Sequence, residues 1–206
     1  MANNCFCMVP DKKHTESTIQ QALKYKYVNT ARYMVCNAYI FGNMYGETDF
    51  FLKQRSSGYC YDIEIKITRA DFFADRNKHG KHEILQYGRR THKREIFDNE
   101  LRLYIPHDKI IDHKLRPNKF FYCVPEGLIT RNEIPEYAGL MYVTDRNYKS
   151  IITVKEAPFI HKDELNVEQI LCEKFYRYWK KSEYELIQKE EELKQIRKSQ
   201  TILTAK

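Results

Sequence analysis

The sequence predicts an α/β fold in which a central mixed sheet is flanked by helices and carries a basic insertion and a long C-terminal helix. Three observations lead there. Runs rich in Tyr, Phe, Val and Ile alternate with turn residues through the first third of the chain. A helical spacing of apolar residues precedes them and another follows. The last quarter is charged, with apolar residues recurring at helical intervals. With 206 residues there is chain enough for one sizeable core, and no Gly/Pro/Ser-rich linker divides it. The expected organisation is an α/β domain over 1–160 with a basic insertion at about 79–118, then an amphipathic helix and charged tail over 161–206.

Taken in order, Thr15 to Lys26 sets Ile19, Ala22 and Leu23 on one helical face, with Thr15 or Ser17 as N-cap. Ala31–Phe41, Thr48–Lys53 and Tyr59–Ile67 read as strands, joined by turns at Gly42-Asn43 and Ser56-Ser57-Gly58. They predict a three-strand meander. Thr68-x-x-Asp71 has capping-box spacing and opens a second helix. Strands follow at Lys119–Val124 and Gly139–Val143, with an edge strand at Ile151–Lys155. From Asp163 to about Ser199 a long helix carries Leu171, Phe175, Tyr178, Leu186, Leu193 and Ile196, interrupted by Ser182 and Lys189. The interruption favours an amphipathic helix on the body over a coiled coil, with a homodimer through this helix as the alternative.

Composition narrows the classes. A formal charge of +7 and a pI near 9.0 favour a polyanionic partner. The six cysteines are scattered and the N-terminus lacks a signal-peptide stretch, so reduced thiols and a cytoplasmic location are expected. No run approaches a membrane span. Cys5-x-Cys7 with His14 lacks the second ligand pair of structural zinc, and ordinary terminal thiols are expected there. Neither His79-x-x-His82 nor His107, His113 and His161 form a recognised metal spacing with cysteines.

Asp62-Ile63-Glu64-Ile65-Lys66 is the most informative stretch. Side chains alternate along a strand, so Tyr61, Ile63, Ile65 and Ile67 make an apolar face while Asp62, Glu64 and Lys66 share the other. Two carboxylates and an ammonium in a row are expensive to hold together unless a cation or a substrate uses them. That pattern reads as a divalent-metal site on a sheet.

The order helix, three strands, helix, strand, with Asp49 on the second strand and Glu64-Ile65-Lys66 on the third, resembles the αβββαβ core of the restriction-endonuclease-like PD-(D/E)XK nuclease superfamily. Glu64 to Asp75, Phe120 to Gly127 and Gly139 to Val143 resemble most closely the MmcB-type DNA repair proteins and related phage-encoded nucleases. In those proteins a Ser-Arg-Ala-Asp-Phe-like helix start follows the signature strand, and a later strand ends in Val-Pro. The resemblance spans about 31–145 with a gap. It implies a Mg²⁺- or Mn²⁺-dependent deoxyribonuclease, acting in DNA repair, recombination or phage DNA metabolism, in a host cytoplasm if phage-encoded. It further implies Asp49, Glu64 and Lys66 as catalytic residues, and Asp49, Glu64 and the Ile65 carbonyl as metal ligands. Glu47 remains an alternative first acid. Asp62, a departure from the family, is expected as a second-metal ligand or a partner of a nearby cation. Glu16 is read as a first-turn residue that suits the helix dipole, with an approach to the site as the alternative, and Asp71 and Asp75 as supports for the helix start and for nearby cations. A fold that keeps DNA binding but has lost turnover, or serves as a structural or virion component, is the competing class.

Carboxylate oxygens suit Mg²⁺, which neutralises developing phosphate charge and acidifies water, while Lys66 can orient or deprotonate that water. DNA is the expected partner, with contacts from Arg69, for which pairing with Asp71 or Asp75 is the alternative, and from Lys78, Lys81, Arg89, Arg90, Lys93 and Arg94, a block whose one acid is Glu83. Its only aromatic residue is Tyr87, so backbone binding without base stacking is expected.

Overall fold

A computed structural model describes residues 14–98, 100–144 and 150–204, with His79 and residues 198–204 described by backbone alone. Cys5 and Cys7 lie outside the described residues. The chain divides into two units, 1–165 and 166–206.

The first unit opens with α1, Glu16–Tyr27, held by a reciprocal cap in which Thr15 and Thr18 each accept the other's backbone N–H. Three strands follow: β1, Ala31–Ala38; β2, Thr48–Gln54; and β3, Cys60–Ile65. Next come α2, Arg69–Arg76, and α3, His79–Tyr87. Four short strands then occupy the region expected as the basic insertion: β4, Arg89–His92; β5, Glu95–Asp98; β6, Leu103–Pro106; and β7, Lys109–Asp112. The sheet is completed by β8, Lys119–Pro125; β9, Ala138–Thr144; and β10, Ser150–Lys155.

Its order is β1-β2-β3-β8-β9-β10. The first three strands pair antiparallel, β8 runs parallel to β3, β9 parallel to β8, and β10 returns antiparallel. The protein is thus α/β with a central mixed sheet flanked by helices. One face packs against α1, where Ile19, Leu23 and Tyr27 meet Phe50, Leu52, Ile63, Ile65, Phe121 and Met141. Each fully buried Leu, Ile or Phe contributes about 1.5–3 kcal/mol relative to exposure. Gly139 belongs to this packing. A Cβ there would run into the Phe121 ring and the Ala157 nitrogen, so no larger residue fits.

The other face carries Phe41, Tyr45, Phe51, Phe72, Phe120 and Tyr122, fully or almost fully buried. Their rings meet edge to face, with centroids 5.1 Å apart for Phe72–Tyr122 and 5.0 Å for Phe120–Tyr122. The sheet is therefore covered on both sides, including the side that bears the charges of β3.

Three features depart from expectation, one of them the long helix, which starts at Glu168 rather than Asp163 because 161–167 is irregular chain. The first strand ends at Ala38, because Ile40 and Phe41 turn into the core. The insertion is ordered: Gly88 closes α3 at φ 67°, β4 pairs with β7, and β5 pairs with β6. Pairing residues close in sequence costs little loop entropy, which lets so polar a segment form a ribbon. In the second unit, α4 spans Glu168–Thr204. No helix among the described residues is long and apolar enough to cross a membrane.

Candidate functional site

The site grows from the end of the β2–β3 hairpin. The ladder runs from Lys53–Cys60 to Phe50–Ile63 and stops one step short of Asp49 and Glu64. There Asp49 Oδ2 accepts the Ile65 N–H at 2.7 Å, a side chain replacing the main-chain acceptor. N–H and C=O of one residue point the same way in a strand, so the Ile65 carbonyl faces the same opening. The Lys66 N–H donates to the Cys123 carbonyl at 3.2 Å, which keeps the end of β3 on β8. Behind Asp49, Gln20 of α1 donates to the Asp49 carbonyl at 3.1 Å and to Glu16 at 2.9 Å.

Alternation puts Asp62, Glu64 and Lys66 on the face covered by the helices after β3. Glu64 is buried and held from two sides, Lys66 Nζ lying 2.6 Å from Oε1 and Lys81 Nζ 2.5 Å from Oε2. Lys81 also lies 3.2 Å from Asp62 Oδ2, to which the Tyr45 hydroxyl donates at 2.6 Å. Asp62 Oδ1 has no hydrogen-bond partner. Beyond Lys66 sits Asp75, 3.7 Å from its ammonium and 2.9 Å from that of Lys78. Tyr122 donates to Asp75 Oδ2 at 2.9 Å, and His82 Nε2 lies 3.5 Å from the same oxygen. Four buried or half-buried carboxylates (Asp49, Asp62, Glu64, Asp75) thus face three ammonium groups (Lys66, Lys78, Lys81), with the exposed Asp71 a fifth carboxylate 4.0 Å from Lys66.

The imbalance appears in the titration behaviour. Burial, reinforced by the charge of Glu64, raises Asp49 to about 7. Burial likewise raises Asp62, against the opposing pull of Lys81. For Asp75 burial works the other way from its surroundings: the His82 hydrogen bond and the Lys66 and Lys81 charges prevail and hold it far below the usual carboxylate range. Lys66 and Lys81 both lose solvation, yet neighbouring carboxylates more than offset that and raise them. Both lysines are therefore cations throughout the neutral range.

Asp49, Glu64 and Lys66 lie together at the end of the hairpin, and Asp62 joins them through Lys81. Glu47 is exposed and precedes β2, so Asp49 is the acid at the hairpin end. Among the described residues, no group of three or more His, Cys, Asp or Glu side chains is placed to hold a metal ion. The converging donors are two carboxylates and one carbonyl, all hard oxygens of the kind Mg²⁺ and Mn²⁺ take. A cation there would exchange with an ammonium at Glu64.

No protein-family model matches the chain, and no curated protein does. Among solved structures it is similar to the SPO1766 protein of unknown function from Silicibacter pomeroyi, at 16% identity and a TM-score of 0.45, over 80% of this chain and 83% of that one.

The residues expected on DNA separate into groups. Lys81 is a correction: it is buried between Asp62 and Glu64, its ammonium also 4.9 Å from the Tyr45 ring and 5.2 Å from that of Phe120, so no phosphate reaches it. Arg69 is committed to the Leu128 carbonyl at 2.8 Å and to Glu133. Arg90 donates to the Met44 carbonyl at 3.3 Å and lies against Gly80. Lys78 bridges Glu64 and Asp75 from the surface. Arg89, Lys93 and Arg94 are exposed on the ribbon.

Sequence reasoning missed Tyr45 and Tyr122 as carboxylate donors and Lys81 as an internal cation. One signal was present. Lys78, Lys81 and His82 stand at i, i+3 and i+4, the spacing of a single helical face, and that face turns toward the carboxylates of the sheet.

Proposed function

We propose that this chain is a divalent-cation-dependent nuclease that hydrolyses DNA phosphodiester bonds, with a restriction-endonuclease-like core. The observation that carries the reading is the meeting of Asp49, Glu64 and Lys66 on one sheet face at the end of the β2–β3 hairpin. The strand order and the helices on both faces are consistent with that core. The net charge of +7 suits a polyanionic substrate.

Asp49, Glu64 and the Ile65 carbonyl would hold Mg²⁺ or Mn²⁺, which neutralises charge on the scissile phosphate and acidifies water. Lys66 stays protonated at neutral pH because Glu64 and Asp75 outweigh its burial. Its part is therefore to donate to a phosphate oxygen or to the attacking water as a fixed positive charge, not to take a proton. Asp75, itself fixed by Tyr122, aligns Lys66 from behind. Lys81 holds the second oxygen of Glu64 and so orients that carboxylate.

The test is incubation with end-labelled linear, circular and branched DNA, with and without Mn²⁺, beside Lys66→Ala. Cation-dependent cleavage that Lys66→Ala loses is the expected result; equal cleavage by the variant would overturn the assignment. A second reading, a nuclease fold retained for binding alone, has one observation in its favour: both oxygens of Glu64 are taken by ammonium groups. Calorimetry separates the two, since that form takes up no Mn²⁺.

A further inference from the structure

We propose that α4 is a dimerisation element, which pairs with the same helix of a second copy as a parallel, in-register two-stranded coiled coil. The proposal does not depend on the nuclease reading.

At about 1.5 Å per residue, the 37 residues of α4 extend for roughly 55 Å. Cys172, Phe175, Trp179, Ser182, Leu186, Lys189, Leu193 and Ile196 follow one another at strictly alternating steps of three and four. That is a heptad seam, with Cys172, Trp179, Leu186 and Leu193 in one core position and Phe175, Ser182, Lys189 and Ile196 in the other. The apolar members are exposed: Phe175 by 72%, Leu186 by 60%, and Trp179, Leu193 and Ile196 each by more than half. A helix bearing such a stripe gains most by burying it, and a seam of regular heptads is complementary to itself. Joining two such seams removes on the order of 1,000 Å² from water, at the lower edge of a specific interface.

The polar members of the seam select the direction. Antiparallel packing sets each residue of one core position against a residue of the other, so Lys189 would face Trp179, Leu186, Leu193 or Cys172 in every register. A buried ammonium without a partner is costly. Parallel in-register packing gathers the polar side chains into two layers, Ser182 against Ser182 and Lys189 against Lys189, and the Lys189 layer is flanked by Glu185 of one copy facing Glu190 of the other, so that the two ammonium groups sit between carboxylates that would otherwise repel. It also brings Glu192 to Arg197 of the second copy.

The chain supplies its own reporter, because Trp179 is its single tryptophan. Sedimentation equilibrium of the full chain from roughly 1 to 100 µM should show the mean mass rising from near 24.8 kDa toward twice that value. Trp179 emission should shift to the blue over the same range. Mild oxidation should cross-link the pair through Cys172, and Cys172→Ser should abolish the cross-link. Leu186→Ala with Leu193→Ala keeps helix propensity while emptying two layers, and should weaken the dimer at least about 100-fold; far-UV circular dichroism shows that the chain stays folded. A single-chain mass throughout with unchanging Trp179 emission overturns the pairing. A dimer that survives both Ala changes overturns the seam, and a dimer that Cys172 never cross-links overturns the parallel register.

Discussion

Asp49 lends one carboxylate oxygen to the N–H of Ile65, 2.7 Å away, and in doing so closes the β2–β3 hairpin with a charged side chain. The same carboxylate is buried near Glu64, and its pKa is raised to about 7 for those two reasons. Unfolded Asp releases its proton near pH 4. The native state therefore gains from this group below about pH 4 and loses that gain as pH rises through about 7.

Asp49→Asn keeps an acceptor for Ile65 and removes the penalised charge. With chelator present, its unfolding free energy from urea titration should rise above that of the wild type as pH goes from 5 to 8, by on the order of 2 kcal/mol after allowance for partial exposure. The same change should abolish cation binding by calorimetry at pH 8. A variant no more stable than wild type at pH 8 would show that Asp49 is not held at the expense of the fold.

Lys66→Met should lower cleavage by about 100-fold or more, the scale for losing one positioned donor to a transition state. DNA affinity should stay within a few-fold, since a donor to charge that develops in the transition state adds little to ground-state binding. Single-turnover rates and equilibrium binding measured side by side separate the two.

The strands of the central sheet, the meander of the first three and the apolar back of β3 were legible because alternation and turn chemistry are local signals, while the parallel pairing of β8 with β3 joins segments far apart in sequence and was not. Asp62, Glu64 and Lys66 could be placed on one face for the same local reason, whereas Asp49 came only from the resemblance, because its approach to Glu64 is a contact between two strands. Lys81 was not legible. A lysine in a run of basic residues reads as solvated, and only the fold of α3 over the sheet brings it between Asp62 and Glu64. The ribbon was missed because its strands are four residues each and mostly exposed, so no apolar alternation marks them.

Lys81→Met strands Asp62 and Glu64 as buried carboxylates and should cost about 3–5 kcal/mol in chemical denaturation. Adding Asp62→Asn removes one of those charges and should return part of the loss. A double variant no more stable than the single one would show that Lys81 acts through its packing against Tyr45 and Phe120 instead.

The ribbon gives the last prediction. If DNA lies along it, the cations that grip phosphate are the exposed ones, Arg89, Lys93 and Arg94. Arg90 and Lys81 already have partners inside the protein and contribute nothing to the counterion count. Replacing the three exposed residues by Ala should weaken every DNA sequence to a similar degree, because phosphate contacts position a duplex without reading it. It should also make the slope of log K against log salt shallower by up to about 0.9 per lost contact. Arg90→Ala alone should leave that slope unchanged and lower the thermal midpoint instead, since it breaks the link to the Met44 carbonyl. A slope that the triple variant leaves unaltered would place DNA away from the ribbon; a slope that Arg90→Ala changes would mean that the arginine leaves Met44 to meet phosphate.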